Sequence, residues 1–317
     1  MSPAQPTPPS AASAQPQKSA DILEALGLPD APEPLPRPVA DSHTHADTTE
    51  EYSGLALADN LAAAASVGVT RMVQVGCDVA SSQWALAQAE QHPGVVAAVA
   101  LHPNDAARAG DDLDAQLAAI AELISRGGEG PRAAQNPLRG VGETGLDYYR
   151  TTDAAGQARQ HTSFATHIRW AIDNDLTLVI HDRDAHDDIL RVLDQVGLPN
   201  RIVMHCFSGG ADFAQECLDR GAWLSFPGVI TFGSAGPQRE ALAITPSDRI
   251  LVETDAPFLT PAPERGKRNA PYLLPHTVRF IAEQRDFDLP SFCDVLTANT
   301  LAAFGGEWDE ISATVAS

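Results

Sequence analysis

Six side chains of the kinds that bind divalent metal ions each follow a short apolar run in this chain. The runs are RPVAD, PLRGV, DLTLV, NRIVM and RILVET. Imidazole nitrogens and carboxylate oxygens together form a common ligand set for a divalent cation. Side chains at the carboxyl ends of buried strands can converge even when they are far apart in sequence. The six candidates are His43, His45, Glu143, His181, His205 and Asp255.

The first three candidates leave specific alternatives open. His43 and His45 are two residues apart, so on a strand both point to the same face and could bind one ion. Two solvated histidines at a polar strand end would look the same. Glu143 follows a glycine-flanked apolar run, where a buried carboxylate needs a cationic partner. It could bridge two ions, cap a helix or pair with an arginine.

The last three candidates end later apolar runs. A lone histidine after a strand is usually a hydrogen-bonded core residue, but His181 and His205 follow two neighbouring strands, which favours metal binding. Asp255 suits a ligand that also accepts a proton from water. Glu253 lies two residues earlier, so it should share the face of Asp255 but sit deeper, either as a structural residue or as one that holds a ligand in place. Jointly the positions predict a metal site with Asp255 and Glu143 as its catalytic carboxylates.

Eight predicted strands must position these residues. They begin near Pro38, Val69, Val95, Leu138, Leu176, Ile202, Ala222 and Ile250. Between them, helical spacing is clear in residues 57–67, 112–125, 157–174 and 185–196. Continuous apolar runs are typical of parallel strands that are buried on both faces. Eight alternating units predict a single-domain (β/α)₈ TIM barrel. An open doubly wound sheet is the alternative, disfavoured because no glycine-rich phosphate loop follows the first strand.

Composition sets the domain boundaries. Residues 1–36 are rich in Pro, Ala, Ser and Gln and are predicted to be a mostly disordered extension, although DILEALGL at 21–28 can form a helical turn or two that docks. The hydrolase domain is expected to span 37–308, followed by a tail at 309–317. The stretch RGGEGPRAAQNP at 126–137 predicts an exposed loop.

Charge and cysteine content restrict the functional classes. The chain has 21 basic and 42 acidic residues, a net charge of −21, which disfavours nonspecific attraction to nucleic acid or to an anionic membrane. A polyanionic substrate would need metal ions or a local basic patch. The 4 cysteines form no C-x-x-C pair and predict free thiols in a reducing compartment. No signal-peptide pattern or membrane-length apolar run occurs, so we expect a cytoplasmic location without membrane association.

Six ordered segments resemble the signature segments of the TatD-type metal-dependent deoxyribonucleases, within the amidohydrolase-like barrel superfamily. They are HTHAD, GETGLDYYR, HDRDA, HCFSG, ETDAPFL and RGKRNAPYL. The resemblance covers about residues 41–305 and implies a barrel that hydrolyses phosphodiester bonds of DNA, or alternatively RNA, as a 3'–5' exonuclease. It also implies that the six candidates occupy the family's ligand positions. Thr144 departs from the pattern by replacing an aliphatic residue.

The mechanism expected from this resemblance uses one or two divalent ions. Mg²⁺ or Mn²⁺ would serve in activity, with Zn²⁺ as an alternative. The ions would bind a phosphate oxygen and activate water, and Asp255 would receive the proton. His102 ends the third strand and is predicted to contact substrate or orient a ligand. Arg183, two residues past His181, could bind phosphate through its planar fork.

Further substrate contacts are predicted around the barrel mouth. The densest basic cluster follows the eighth strand, where it would bind phosphate or simply be a solvated surface run; it consists of Arg265, Lys267 and Arg268. Three aromatic residues that follow ligand segments could stack on bases or pack at the mouth: Tyr148, Phe207 and Phe258. No obligate protein partner is indicated.

Two other functions compete with the nuclease. A metal-dependent amidohydrolase or lactonase acting on a small molecule would use the same barrel, and many such enzymes bridge two ions with a carboxylated lysine on the fourth strand. Here Glu143 stands at that place, and the 2 lysines, Lys18 and Lys267, lie elsewhere in the sequence. A non-catalytic scaffold is the other possibility, and the intact ligand set argues against it.

Overall fold

Eight parallel strands form one sheet in sequential order, as the alternation of strand and helix patterns predicts. The computed structural model describes residues 11–127 and 137–311, with side chains from residue 18. The strands are β1 Val39–Thr44, β2 Val69–Val75, β3 Val95–Val99, β4 Leu138–Asp147, β5 Thr177–Arg183, β6 Ile202–Met204, β7 Trp223–Phe226 and β8 Ile250–Val252. The sheet curls into a nearly closed barrel, which confirms the predicted TIM-barrel fold.

Helices surround the sheet on its outer face. They are α1 Ala11–Ala25, α2 Ala46–Ser53, α3 Leu57–Ser66, α4 Val79–Gln91, α5 Pro103–Arg108, α6 Leu113–Arg126, α7 Ala154–Asp173, α8 His186–Val196, α9 Ala211–Asp219, α10 Gly236–Ile244, α11 Leu274–Gln284 and α12 Leu289–Ala303. Every residue of β3 and of β4 is buried, as expected of strands covered on both faces. Among the described residues, no helix is both long enough and apolar enough to span a membrane.

The barrel closes where β1 meets the segment that follows β8. The Ser42 hydroxyl donates to the carbonyl of Val252 at 2.9 Å, and the amide of Asp255 donates to the carbonyl of His43 at 3.0 Å. Buried Asp41 accepts from both the hydroxyl and the amide of Thr254, at 2.5 and 3.0 Å. Burial raises the pKa of Asp41 to about 7 despite these hydrogen bonds. These contacts hold two of the candidate ligands, His43 and Asp255, against each other.

Glycines let β4 and β5 approach closely beside Glu143. Gly145 has φ of +141°, and a Cβ there would overlap the carbonyl oxygen of His181 on β5. A Cβ on Gly142 would likewise overlap Val179. A larger residue at either position would push the two strands apart. The glycine-flanked motif is therefore what brings Glu143 next to His181.

The predicted extension is only partly tested. Residues 1–10 lie outside the described part of the chain, but helix α1 begins before the expected 21–28 segment, in an alanine-rich stretch with high helix propensity. Leu23, Leu28 and Leu35 are buried against the barrel. The amide of Leu35 also donates to the carbonyl of Val67 at 3.0 Å. The docking predicted for 21–28 is thus present and continues to Leu35.

The structure describes only parts of the other predicted segments. Of the predicted loop at 126–137, residues 128–136 lie outside the described residues. Trp308 is buried, and the amide of Ile311 donates to the carbonyl of Thr70 at 2.7 Å, so the start of the predicted tail is attached to β2. Residues 312–317 are not described. The limits of 37–308 and 309–317 stay a prediction.

Candidate metal centre

All six predicted ligands converge at the carboxyl ends of the strands, around the buried carboxylate of Glu143. Its Oε2 atom lies 3.5 Å from Nε2 of His43 and 3.7 Å from Nε2 of His45. The Oδ1 atom of Asp255 lies 4.0 and 3.5 Å from the same two nitrogens. We refer to His43, His45 and Asp255 as the first group.

The other oxygen of Glu143 faces a different set of imidazoles. Oε1 lies 2.6 Å from Nδ1 of His181, 3.1 Å from Nε2 of His205 and 3.4 Å from Nε2 of His102. We refer to these three histidines as the second group. Each oxygen of this carboxylate therefore faces a different cluster of potential ligands, and the two clusters touch where the rings of His43 and His205 stack 3.6 Å apart.

The first group has the spacing that one cation requires. The Nε2 atoms of His43 and His45 are 3.2 Å apart. Two nitrogens at this separation, each about 2.1 Å from a shared ion, subtend an angle of about 100° at it, close to tetrahedral or octahedral coordination. Ligating atoms from His43, His45 and Asp255 all lie within 4.8 Å of one another, as do those of His102, Glu143 and His181 on the other side of the carboxylate. The residues present fit a divalent ion on either side of Glu143.

Polar partners fix the orientation of the rings. Nδ1 of His45 donates to the carbonyl of Val75 at 2.9 Å, which leaves Nε2 free to face the first group. Nε2 of His181 lies 3.3 Å from Oδ2 of Asp147, so Nδ1 points at Glu143. Such second contacts hold a ligating imidazole in one tautomer and raise its basicity.

Glu253 supports His205 in the way that the sequence predicted. Its Oε1 lies 3.0 Å from Nδ1 of His205, a charge contact rather than a well-directed hydrogen bond. The same oxygen accepts the backbone N–H of Cys206 at 2.8 Å. Cys206 has φ of +46° and Asp255 has φ of +51°, both in the left-handed region that non-glycine residues rarely adopt. Strained backbone of this kind concentrates at functional sites.

The electrostatics of the centre couple its carboxylates to its histidines. Burial alone would raise the pKa of Glu143, but the adjacent His205 and His102 outweigh it and hold that pKa well below its ordinary range. Burial would lower the pKa of His181, yet hydrogen bonds to Asp147 and Glu143 raise it to about 9. By contrast, burial and the charge of His205 lower the pKa of His43 to about 3. Without an ion, the centre therefore keeps Glu143 ionised and His43 neutral, whereas His181 holds a proton that a bound cation would displace.

Sequence reasoning missed three side chains of this centre. Asp147 orients His181 and also accepts from the side-chain amide of Asn104 at 3.0 Å. The sequence pattern ended the fourth strand at Glu143, whereas β4 continues to Asp147 and places the two carboxylates, four residues apart, on the same face. Asp41 precedes His43 by two residues and follows the same rule. Cys77 lies just beyond β2, with Sγ 3.8 Å from Oε2 of Glu143. Nothing in the sequence around Cys77 indicated this contact.

The predicted substrate contacts are distributed around the barrel mouth. His102 belongs to the second group, and Arg183 ends β5, two residues beyond His181. The basic cluster is exposed, with Arg265 over the ring of Phe232 and Lys267 paired with Glu264 at 2.5 Å. Arg268 is also exposed.

The three predicted stacking aromatics differ in their surroundings. Phe207 is only 3% exposed and packs against Phe213 and Phe226, so it is a core residue. Tyr148 is half-buried, with its hydroxyl 2.6 Å from both His161 and Asp188. Phe258 alone is open to solvent.

Known proteins of similar sequence include metal-dependent hydrolases. Residues 40–305 match the model of the TatD related DNase family. The metal-dependent hydrolase TatD of Mycobacterium tuberculosis is 38% identical over 273 residues, covering 85% of this chain and 99% of the relative. The 3'-5' ssDNA/RNA exonuclease TatD of Cronobacter sakazakii is 34% identical over 252 residues, covering 77% and 90%.

A solved structure shows the same arrangement of elements. The TatD homologue YJJV of Escherichia coli K12 superposes with a TM-score of 0.75 at 27% identity, covering 85% of this chain and 98% of that chain. The family match spans nearly the whole barrel, including all six ligand candidates. The chain therefore belongs to the TatD-related DNase family of metal-dependent hydrolases.

Proposed function

We propose that this hydrolase cleaves phosphodiester bonds in single-stranded nucleic acid at a centre built around Glu143. The observation that carries the proposal is that the two oxygens of Glu143 face different groups of potential ligands. Oε2 faces the first group and Oε1 faces the second. A carboxylate shared in this way suits two ions held a few ångströms apart. Paired ions are a common solution for phosphodiester hydrolysis.

When bound, the divalent ions polarise the phosphoryl oxygens and lower the pKa of the attacking water. His43, His45 and Asp255 would hold one ion, His181 and His205 the other, with Glu143 between them. Mg²⁺ or Mn²⁺ suits a phosphate substrate, whereas the many imidazoles suit Zn²⁺. The donor set thus supports any of the three.

The remaining steps fall to side chains of the chain. Asp255 takes the proton of the attacking water, because its carboxylate is at the mouth of the site and partly open, with 13% of its side chain exposed. Nδ1 of His102 accepts the amide of Asn104 at 3.1 Å, so the ring carries its proton on Nε2, which faces the centre. From there it can donate to a phosphate oxygen. Water adds to phosphorus as its proton passes to Asp255, the bond to the leaving oxygen breaks, and that oxygen takes a proton from the Asp255 carboxylic acid or from solvent water.

The negative net charge of the chain means that a nucleic acid substrate would bind only where basic residues are concentrated. The chain as a whole carries −21, so a nucleic acid would be repelled except where cations are concentrated. Arg183 beside the second group, and the exposed cluster of Arg265, Lys267 and Arg268, supply that charge. The Cronobacter relative is named for 3'-5' activity on ssDNA and RNA, and we extend that polarity to this chain.

The small-molecule amidohydrolase or lactonase is less well supported. Glu143 stands where many such enzymes carry a carboxylated lysine. Lys267 is paired with Glu264 on the rim, and Lys18 is exposed on α1. Faster turnover of esters or lactones than of oligonucleotides would favour this second function.

End-labelled oligonucleotides test the proposal. Purified protein with Mg²⁺ or Mn²⁺ should shorten single-stranded DNA and RNA from the 3' end, giving a ladder of products. The variant His205→Gln should lose this activity, whereas His276→Gln, on α11 outside the centre, should keep it. Full activity in excess chelator would contradict the proposal.

A further inference from the structure

Among the side chains that the structure describes, three aromatic ones are open to water, and all three lie at the mouth of the barrel. Tyr52, Tyr149 and Phe258 are 58, 61 and 47% exposed. The other large apolar side chains that are exposed in the described part of the chain are aliphatic and lie in the outer layer: Ile172, Leu198 and Ile244. Exposed aromatic rings concentrated at one site mark a binding surface.

Tyr52 and Phe258 form one aromatic platform, next to the first group. Their ring centroids are 6.2 Å apart, and Phe258 lies 6.5 Å from the ring of His45. The amide of Phe258 donates to the carbonyl of Asp255 at 2.9 Å, which ties the ring to a predicted ligand. We call this pair the first platform.

Tyr149 and Arg183 form a second platform, next to the second group. The guanidinium of Arg183 lies 3.8 Å from the centre of the Tyr149 ring. Arg183 pairs in register with Asp147, whose carboxylate contacts His181. Stacked on one face by the guanidinium, the Tyr149 ring is held in place and still largely exposed. The guanidinium also retains donors for a phosphate oxygen.

The two platforms lie on opposite sides of the centre. The sheet order runs from β1 to β8, and contacts between β1 and the end of β8 close the ring. The first platform follows β1 and β8, whereas the second follows β4 and β5, half the ring away. Glu143 and its two groups lie between them.

We propose that the two platforms stack the bases of the two nucleotides that flank the scissile phosphate of a single strand. This inference rests on the proposed nuclease function and adds the residues that hold the substrate. Stacking accepts any base, because every base has an aromatic face, and it requires unpaired bases. Tyr52 and Tyr149 would thus restrict the enzyme to single strands without selecting a sequence.

A double-mutant cycle with abasic substrates tests the platforms. The kcat/KM for a short single-stranded oligonucleotide is compared with that for copies lacking the base of the 3'-terminal or of the penultimate nucleotide. In the wild type, each missing base should reduce kcat/KM about tenfold or more. In Tyr149→Ala one of these two penalties should vanish, and in the Tyr52→Ala, Phe258→Ala double variant the other should vanish.

Matched variants separate stacking from folding and from chemistry. Tyr149→Phe keeps the ring and should keep the penalty, and Leu198→Ala, an exposed site at the opposite end of the barrel, should change nothing. All variants should retain the wild-type rise in Tm with Mn²⁺. Penalties that persist unchanged in the platform variants, or that are absent in the wild type, would overturn the stacking inference alone. Failure of the wild type to cut any oligonucleotide with any of these metals would overturn the proposed function as well.

Discussion

Replacing Glu143 with glutamine should prevent the centre from binding two divalent ions while leaving its shape unchanged. The carboxylate lies within 3.7 Å of five imidazole nitrogens, two at Oε2 and three at Oε1. The amide group removes one negative charge and turns one oxygen ligand into an N–H donor directed at one of the two groups. One ion position therefore loses both its charge and a ligand.

The size of the effect follows from what the lost ion supplies. Charge stabilisation by a metal is worth several kcal/mol, and about 4 kcal/mol corresponds to about a 10³-fold fall in kcat. Metal content measured by equilibrium dialysis and elemental analysis should fall from two Mn²⁺ per chain to one or fewer. The exposed Glu283→Gln on α11 has the same chemical change and should have no effect. Two bound ions and activity within threefold of wild type in Glu143→Gln would refute the reasoning.

Three further results are expected. Gly145→Ala should destabilise the fold by at least about 2 kcal/mol in urea unfolding, because φ of +141° and the His181 carbonyl leave no room for Cβ, while Gly233→Ala, in open space, should cost little. Leu23→Ala should cost about 2–4 kcal/mol, and an unchanged midpoint would show that the amino-terminal segment does not pack. His181 has a raised pKa of about 9, so its protonated ring stabilises the ion-free protein against unfolding. This contribution to the free energy of unfolding is complete below about pH 6.5 and is lost as the pH rises through 9. Mn²⁺ binding at pH 7 should release protons and weaken as the pH falls, which calorimetry in buffers of different ionisation enthalpy measures; pH-independent binding would contradict it.

The convergence of the six candidate ligands could be predicted because each of them follows an apolar run. His205 directly follows the three-residue β6, and Asp255 lies three residues past β8, so the end of each run marked the barrel mouth. The parallel arrangement then brings such ends together whatever their separation in sequence. That rule identified positions, but it could not assign Oε1 and Oε2 of Glu143 to different groups, since those distances depend on how β4 packs against β5.

Other features depended on contacts that local pattern does not carry. Asp147 was missed because the apolar run appeared to end at Glu143, while pairing with β5 extends β4 by four residues. The packing of Leu35 was missed because the proline-rich composition of residues 1–36 suggests disorder. Three leucines of this segment are nevertheless buried against the barrel: Leu23, Leu28 and Leu35. Tyr149 gave no signal of exposure in the sequence. In each case a non-local partner decided the outcome.

The most direct test of the paired centre is a crystal structure with Mn²⁺ and its anomalous scattering. Two peaks about 3.5–4 Å apart, one within bonding distance of each oxygen of Glu143, are expected. The first should also contact His43, His45 and Asp255, and the second His181 and His205. A single peak, or two peaks that do not share Glu143, would contradict the central claim.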